Sequence, residues 1–203
     1  MSLCASNLYG AVKRIAIFAS GAGTNAENII RWFNTEEDRG GRVALVVSNK
    51  PDAQVLRRAG ALGVATEVVT SAELKDEDFV GGMMDSYGID VVVLAGFLLM
   101  VPPYLITRYD GRMVNIHPSL LPKYGGKGMY GMRVHEAVVA AGERETGITV
   151  HLVSERYDEG RILFQATTEI CGDDAPEDVA RKVQELEQLY FPRVIAELME
   201  GMW

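Results

Sequence analysis

The chain has 203 residues, 48% hydrophobic and 24% charged, an ordinary globular composition that excludes a disordered tail, a collagen-like repeat and a disulfide miniprotein. Its 20 Lys and Arg stand against 28 Asp and Glu, a formal net charge of −8. That balance argues against general binding to a nucleic-acid backbone and leaves room for a local pocket for one small anion. The length suits one domain, with 1–12 expected to be a leader or tag and 13–203 the folded unit. Two cysteines, Cys4 and Cys171, are too few for a disulfide framework and read as free thiols in a reducing, cytoplasmic setting. The longest apolar stretch, 91–101, is interrupted by Gly96 and falls well short of the ~20 residues of a membrane span. Met1-Ser2-Leu3 lacks the basic and apolar regions of a signal peptide; with the charge balance and the short apolar run, neither a membrane nor a nucleic-acid partner is expected.

In chain order, 13–19 (KRIAIFA) reads as a strand, 20–24 as a glycine-rich turn and 25–34 as an amphipathic helix. A second strand spans 42–48, a helix 53–62 ends at Gly63, and a third strand covers 64–69. A helix within 73–87 precedes 89–95 (IDVVVLA), which is apolar on both faces as a central parallel strand should be. Pro102 and Pro103 open a short helix, and 112–117 (RMVNIH) is a strand stopped by Pro118. The pattern then changes: 147–154 and 161–170 read as an antiparallel hairpin at the sheet edge, and 176–201 as a long C-terminal helix. Alternating strands and helices require crossover connections, so the fold class expected is α/β with a doubly wound, mostly parallel sheet.

Three segments could carry chemistry. Ser20-Gly21-Ala22-Gly23-Thr24-Asn25 lies between a strand and a helix, where glycines admit an anion to backbone amides and the helix start adds partial positive charge. The run fits G-x-G-x-x-A, yet strand two ends in Ser48-Asn49-Lys50 without the carboxylate that binds a dinucleotide ribose. A phosphate site is therefore preferred to a dinucleotide site, with a ligand-free tight turn as the alternative. In the second segment, Asn115 and His117 are two apart on a strand, so both side chains project to one side at its C-terminal edge. An amide can donate to a developing oxyanion while the imidazole moves a proton; a capping Asn with a structural His is the competing reading. The third, Tyr157-Asp158-Glu159-Gly160, reads locally as turn chemistry. His135 and His151 lack zinc-ligand spacing and read as structural, one on a helix and one on an edge strand. Met100 and Met113 read as core filler.

Taken together, S-G-x-G-T-N, L-A-G-F (94–97) and N-I-H-P-S-L-L-P-K-Y (115–124), with T-V-H-L-V and D-E-G further on, resemble the folate-dependent glycinamide ribonucleotide formyltransferases, over about 13–195. The resemblance implies a Rossmann-like fold and transfer of a formyl group from 10-formyltetrahydrofolate to the amine of glycinamide ribonucleotide in purine synthesis, without a metal. It places the substrate phosphate on Gly23, Thr24 and Asn25, and the catalytic groups at Asn115, His117 and Asp158, with Asp158 keeping His117 charged. It places folate against Leu98, Leu99, Met100 and Val101 and against Ser154, Glu155, Arg156, Tyr157 and Asp158. It sets Gln184, Glu185, Leu186 and Glu187 at the glycinamide end, Glu187 best placed for the amine. The chain departs from the family in the glycine-rich run after Pro122 and in lacking a clear folate-contacting arginine, for which Lys75 is the candidate. Related formyltransferases with added tRNA-binding or regulatory domains are longer. A formyltetrahydrofolate hydrolase and a non-catalytic nucleotide-binding module are the rival readings, and a monomer or homodimer is expected.

Overall fold

The computed structural model describes residues 12–35 and 39–201; most of the expected leader, Cys4 within it, lies outside the described residues. A seven-stranded sheet runs in the order β3-β2-β1-β4-β5-β6-β7. Its strands are β1 (Lys13–Phe18), β2 (Gly41–Ser48), β3 (Ala65–Val68), β4 (Val91–Leu94), β5 (Met113–His117), β6 (Glu145–Leu152) and β7 (Ile162–Glu169). β1 to β5 pair in parallel, whereas β6 runs antiparallel to β5 and β7 antiparallel to β6. The doubly wound α/β architecture read from the sequence is thus the observed one, edge hairpin included.

Both faces of the central strands are covered, and the period of two explains how. Ile15, Ile17 and Ala19 point into one core while Ala16 and Phe18 point into the other. The first core takes the apolar stripes of α1 (Thr24–Asn34), α2 (Gln54–Ala61) and the long α6 (Pro176–Met199). The second takes α3 (Glu77–Ser86) and α4 (Pro103–Arg108). The helix expected within 73–87 is split: a 3₁₀ turn, Glu73–Lys75, precedes α3, whose N-cap Asp76 accepts from the Phe79 amide. α5 (Met132–Ala140) carries His135, as expected, but His151 lies on β6, which is interior to the sheet and not an edge strand. Its side chain is buried.

α6 continues through Pro192, which has no N–H for the carbonyl of Gln188 four residues earlier. Asn28 of α1 supplies the donor instead, its Nδ2 reaching Gln188 O at 2.8 Å. One turn of α1 nearer its start, Asn25 Nδ2 donates to Glu187 Oε2 at 2.8 Å. Two side chains on one face of α1 therefore clamp α6 at neighbouring residues. Chain order reverses at β1, which pairs with both β2 and β4, and such a switch point opens a crevice beyond the strands' C-terminal ends.

Candidate active site

That crevice is a cleft of about 700 Å³. Its floor is the C-terminal end of β5, its walls the β1–α1 turn, the segment after β4, the loop before α5 and the β6–β7 connection. Gly23, at φ 77°, ends the turn and caps α1; a Cβ there would lie 2.5 Å from Val55 Cβ, so only glycine lets α1 start so close to α2. The first amides of α1 are thereby presented to the cleft with the helix dipole behind them. Asn49, where a dinucleotide site would carry a carboxylate, accepts the Ser20 hydroxyl at 2.6 Å, and that hydroxyl accepts the Leu98 amide at 2.9 Å. The glycine-rich turn and the segment after β4 are tied together by one side chain, Ser20.

Asn115 and His117 stand side by side on β5, as the period of two requires, and opposite them on β6 lie His151 and Thr149. His117 Nε2 donates to Tyr124 O at 2.7 Å, leaving Nδ1 toward Asp158, 3.5 Å from Oδ2. The imidazole is buried, and burial pushes its pKa below the ordinary value; attraction by Asp158 and the Tyr124 bond oppose this without overcoming it. Asp158 thus favours the charged ring, while desolvation of the cation, the larger effect before any ligand brings further negative charge, disfavours it.

Asp158 has φ 56°, a left-handed conformation that aspartate tolerates better than most residues. Two positions on, a Cβ at Gly160 would sit 1.6 Å from Leu152 O, so the tight return to β7 needs glycine there. Asp158 Oδ2 accepts the Gly126 amide at 2.8 Å, and Oδ1 lies 3.5 Å from both Asn115 Nδ2 and His151 Nε2. Burial pushes this carboxyl up, but His151, His117 and the Gly126 amide together hold it below the usual aspartate range. His151 Nδ1 donates to Leu152 O at 2.8 Å, so in the neutral ring Nε2 accepts a hydrogen from Asn115 Nδ2 at 3.1 Å, and only the protonated ring donates from Nε2 to Asp158. That bond fixes which way the Asn115 amide faces.

At the α1 end of the cleft, burial raises the pKa of Glu187 against the opposing bond from Asn25. Of the four helix residues expected at this end, Glu187 alone lines the cleft. Gln184 and Glu185 do not, and Leu186 packs into the first core, because successive helical residues face different directions. The other wall carries Leu98, Leu99, Met100 and Val101, then Ser154, Glu155, Arg156, Tyr157 and Asp158, all on the cleft. Met100 is exposed there and is not core filler, unlike the buried Met113. Lys75, in the 3₁₀ turn, does not line the cleft.

Residue spacing missed two members of the site. His151 and His135 both line the cleft with His117, so the chain's 3 histidines converge. The signal for His151 lay in its hairpin strand, which pairs with the one bearing Asn115; nothing local to His135 pointed inward. Among the described residues no group of His, Cys, Asp and Glu is arranged to hold a metal ion.

An α/β sheet with a glycine-rich turn and helix start at the switch point, an Asn–His pair at a strand end and an apolar wall between them is the arrangement of a group-transfer enzyme. The profile of the family described as formyl transferase matches residues 13–195, and the chain belongs to it. The chain is 37% identical to phosphoribosylglycinamide formyltransferase of Haemophilus influenzae over 194 residues, 94% of this chain and 89% of that one. It is 36% identical to the chloroplastic phosphoribosylglycinamide formyltransferase of Arabidopsis thaliana, spanning 93% of this chain and 66% of that protein's length. The crystal structure of glycinamide ribonucleotide transformylase 1 from Symbiobacterium toebii superposes with a TM-score of 0.86 at 33% identity, covering 98% of this chain and 94% of that one.

Proposed function

We propose that the chain is a phosphoribosylglycinamide formyltransferase, moving the formyl group of 10-formyltetrahydrofolate onto the amine of glycinamide ribonucleotide in purine synthesis. One observation carries the reading: the anion loop, Glu187, the Asn115–His117–Asp158 cluster and an apolar wall all open onto a single cleft. The α1 amides of Gly23, Thr24 and Asn25 take the ribonucleotide phosphate. Glu187, whose buried carboxylate gains from a cationic or donor partner, orients the glycinamide amine. Leu98, Met100, Val101 and Tyr157 offer the folate ring apolar contact, and backbone groups of 154–158 its polar edge.

The amine lone pair attacks the formyl carbon, a C–N bond forms, and the carbonyl oxygen becomes an oxyanion. Asn115 Nδ2, aimed by His151, donates to that oxygen. The new negative charge favours a proton on His117 Nδ1, the nitrogen facing Asp158, so the imidazolium forms when it is needed. The amine's proton passes by way of the Asp158 carboxylate to His117 Nδ1, and as the oxyanion reforms the carbonyl and the bond from the formyl carbon to folate N10 breaks, that proton is passed on to N10, so the cycle consumes none. We place this reaction in the cytoplasm; among the described residues no helix is long and apolar enough to cross a membrane.

Formyl folate consumption, followed with and without glycinamide ribonucleotide, tests the proposal. Turnover only with the ribonucleotide supports it. Turnover without the ribonucleotide indicates a hydrolase, and none in either case a binding module.

A further inference from the structure

The loop that follows His117 supplies two fixed partners to the cluster: Tyr124 O to His117 Nε2 and the Gly126 amide to Asp158 Oδ2. What holds that loop lies outside the cleft. Thr149, opposite His117 in the β5–β6 register, is fully buried. Its Oγ1 donates to Ser119 O at 2.7 Å and accepts the Leu121 amide at 3.0 Å. It also accepts Gln165 Nε2 at 2.9 Å, and the same Nε2 donates to Leu121 O at 3.1 Å. A hydroxyl has one hydrogen and two lone pairs, and here all three are engaged. Gln165 uses both hydrogens of its amide nitrogen, one on the hydroxyl and one on the loop.

We propose that Gln165, an exposed residue on the outermost strand β7, is a positioning residue for the catalytic pair, acting through Thr149 and the 119–126 loop. The row His117–Thr149–Gln165 crosses three adjacent strands and transmits the sheet's rigidity to the loop. Without Gln165 the Leu121 carbonyl loses its donor and the Thr149 hydroxyl is free to turn away from Ser119. The loop then relaxes, and both Tyr124 O and the Gly126 amide move off their partners. His117 is faced by Asp158, His151, His135 and the Tyr124 carbonyl; of these, the carbonyl and Asp158 favour the charged ring. The inference rests on the reading of the cluster proposed above.

Gln165→Met keeps the side-chain length and removes both donors from an exposed position on β7. Expected is a kcat lowered about 10- to 100-fold, the scale of a small misplacement of reacting groups, with both KM values within about threefold. The His117 imidazole, followed by NMR, should titrate at lower pH than in the parent protein. Thr149→Ser, which keeps the hydroxyl, should stay near parental activity. The double variant Gln165→Met/Thr149→Val should be no worse than the poorer single. Thr167→Val, exposed two residues along the same strand, should change nothing. An unmoved His117 titration in Gln165→Met, or an unchanged kcat, overturns the inference. The titration needs no turnover, so a failure of the formyl-transfer reading is separately visible.

Discussion

At the scale of single residues, the cluster is an argument about where one proton resides. His117 lies between two acceptors, the Tyr124 carbonyl and the Asp158 carboxylate, which favour the imidazolium, yet burial lowers its pKa. His117→Ala should lower kcat by about 10²–10⁴-fold, the usual worth of general acid–base help. Asp158→Asn removes the charge that opposes desolvation, so the imidazole gives up its proton at still lower pH. Its rate-versus-pH curve should therefore move acidward as well as fall. Because both changes disable one unit, the double variant should be little slower than the poorer single. Steady-state kinetics from about pH 5 to 9 would decide, and strictly multiplicative losses would show two independent residues.

Elements, in this fold, meet at a few crowded contacts. Gly23→Ala puts a Cβ 2.5 Å from Val55 Cβ at a φ of 77°. A cost of about 1–3 kcal/mol follows from holding a side chain in that region, and phosphate affinity should drop with it. Gly21→Ala is the control: its Cβ meets nothing within 4 Å, so urea unfolding should place it within about 0.5 kcal/mol of the parent. The α1–α6 contact makes a second prediction. Asn28→Ala withdraws the donor from the Gln188 carbonyl that Pro192 leaves unpaired. Urea unfolding should read a loss of about 0.5–1.5 kcal/mol. Because Glu187 is the next residue, KM for the ribonucleotide should rise several-fold, while KM for the folate should not.

Over the whole molecule, the buried histidines make stability depend on pH. His117 and His135 both titrate below the usual 6.5 in the folded chain, because burial disfavours the cation. Below about pH 6.5 the unfolded chain therefore binds protons that the folded one does not, and stability falls as pH falls through that window. His135 Nδ1 is buried without a hydrogen-bond partner, so a proton carried there meets no acceptor. His135→Asn, neutral throughout, should lose less melting temperature between pH 7.5 and 5.5 than the parent. Glu187, raised by burial, pulls the other way and is common to both chains, so the difference between them isolates the histidine.

Much of this protein was legible in one dimension because the controlling interactions are local. The alternation of Ile15, Ile17 and Ala19 with Ala16 and Phe18 requires a strand covered on both faces. The glycines of 20–25 require a turn that exposes a helix start, and the i, i+2 spacing sets Asn115 beside His117. Tertiary structure alone decided the rest. Asp158 reads as a turn residue until β6 and β7 bring it within 3.5 Å of His117, and His151 reads as structural until β6 pairs with β5. Of Gln184 to Glu187, the helical rotation and the Asn25 bond choose Glu187 for the cleft. The protonation of His117 follows from how much water the assembled fold removes from it, a quantity no spacing of residues encodes.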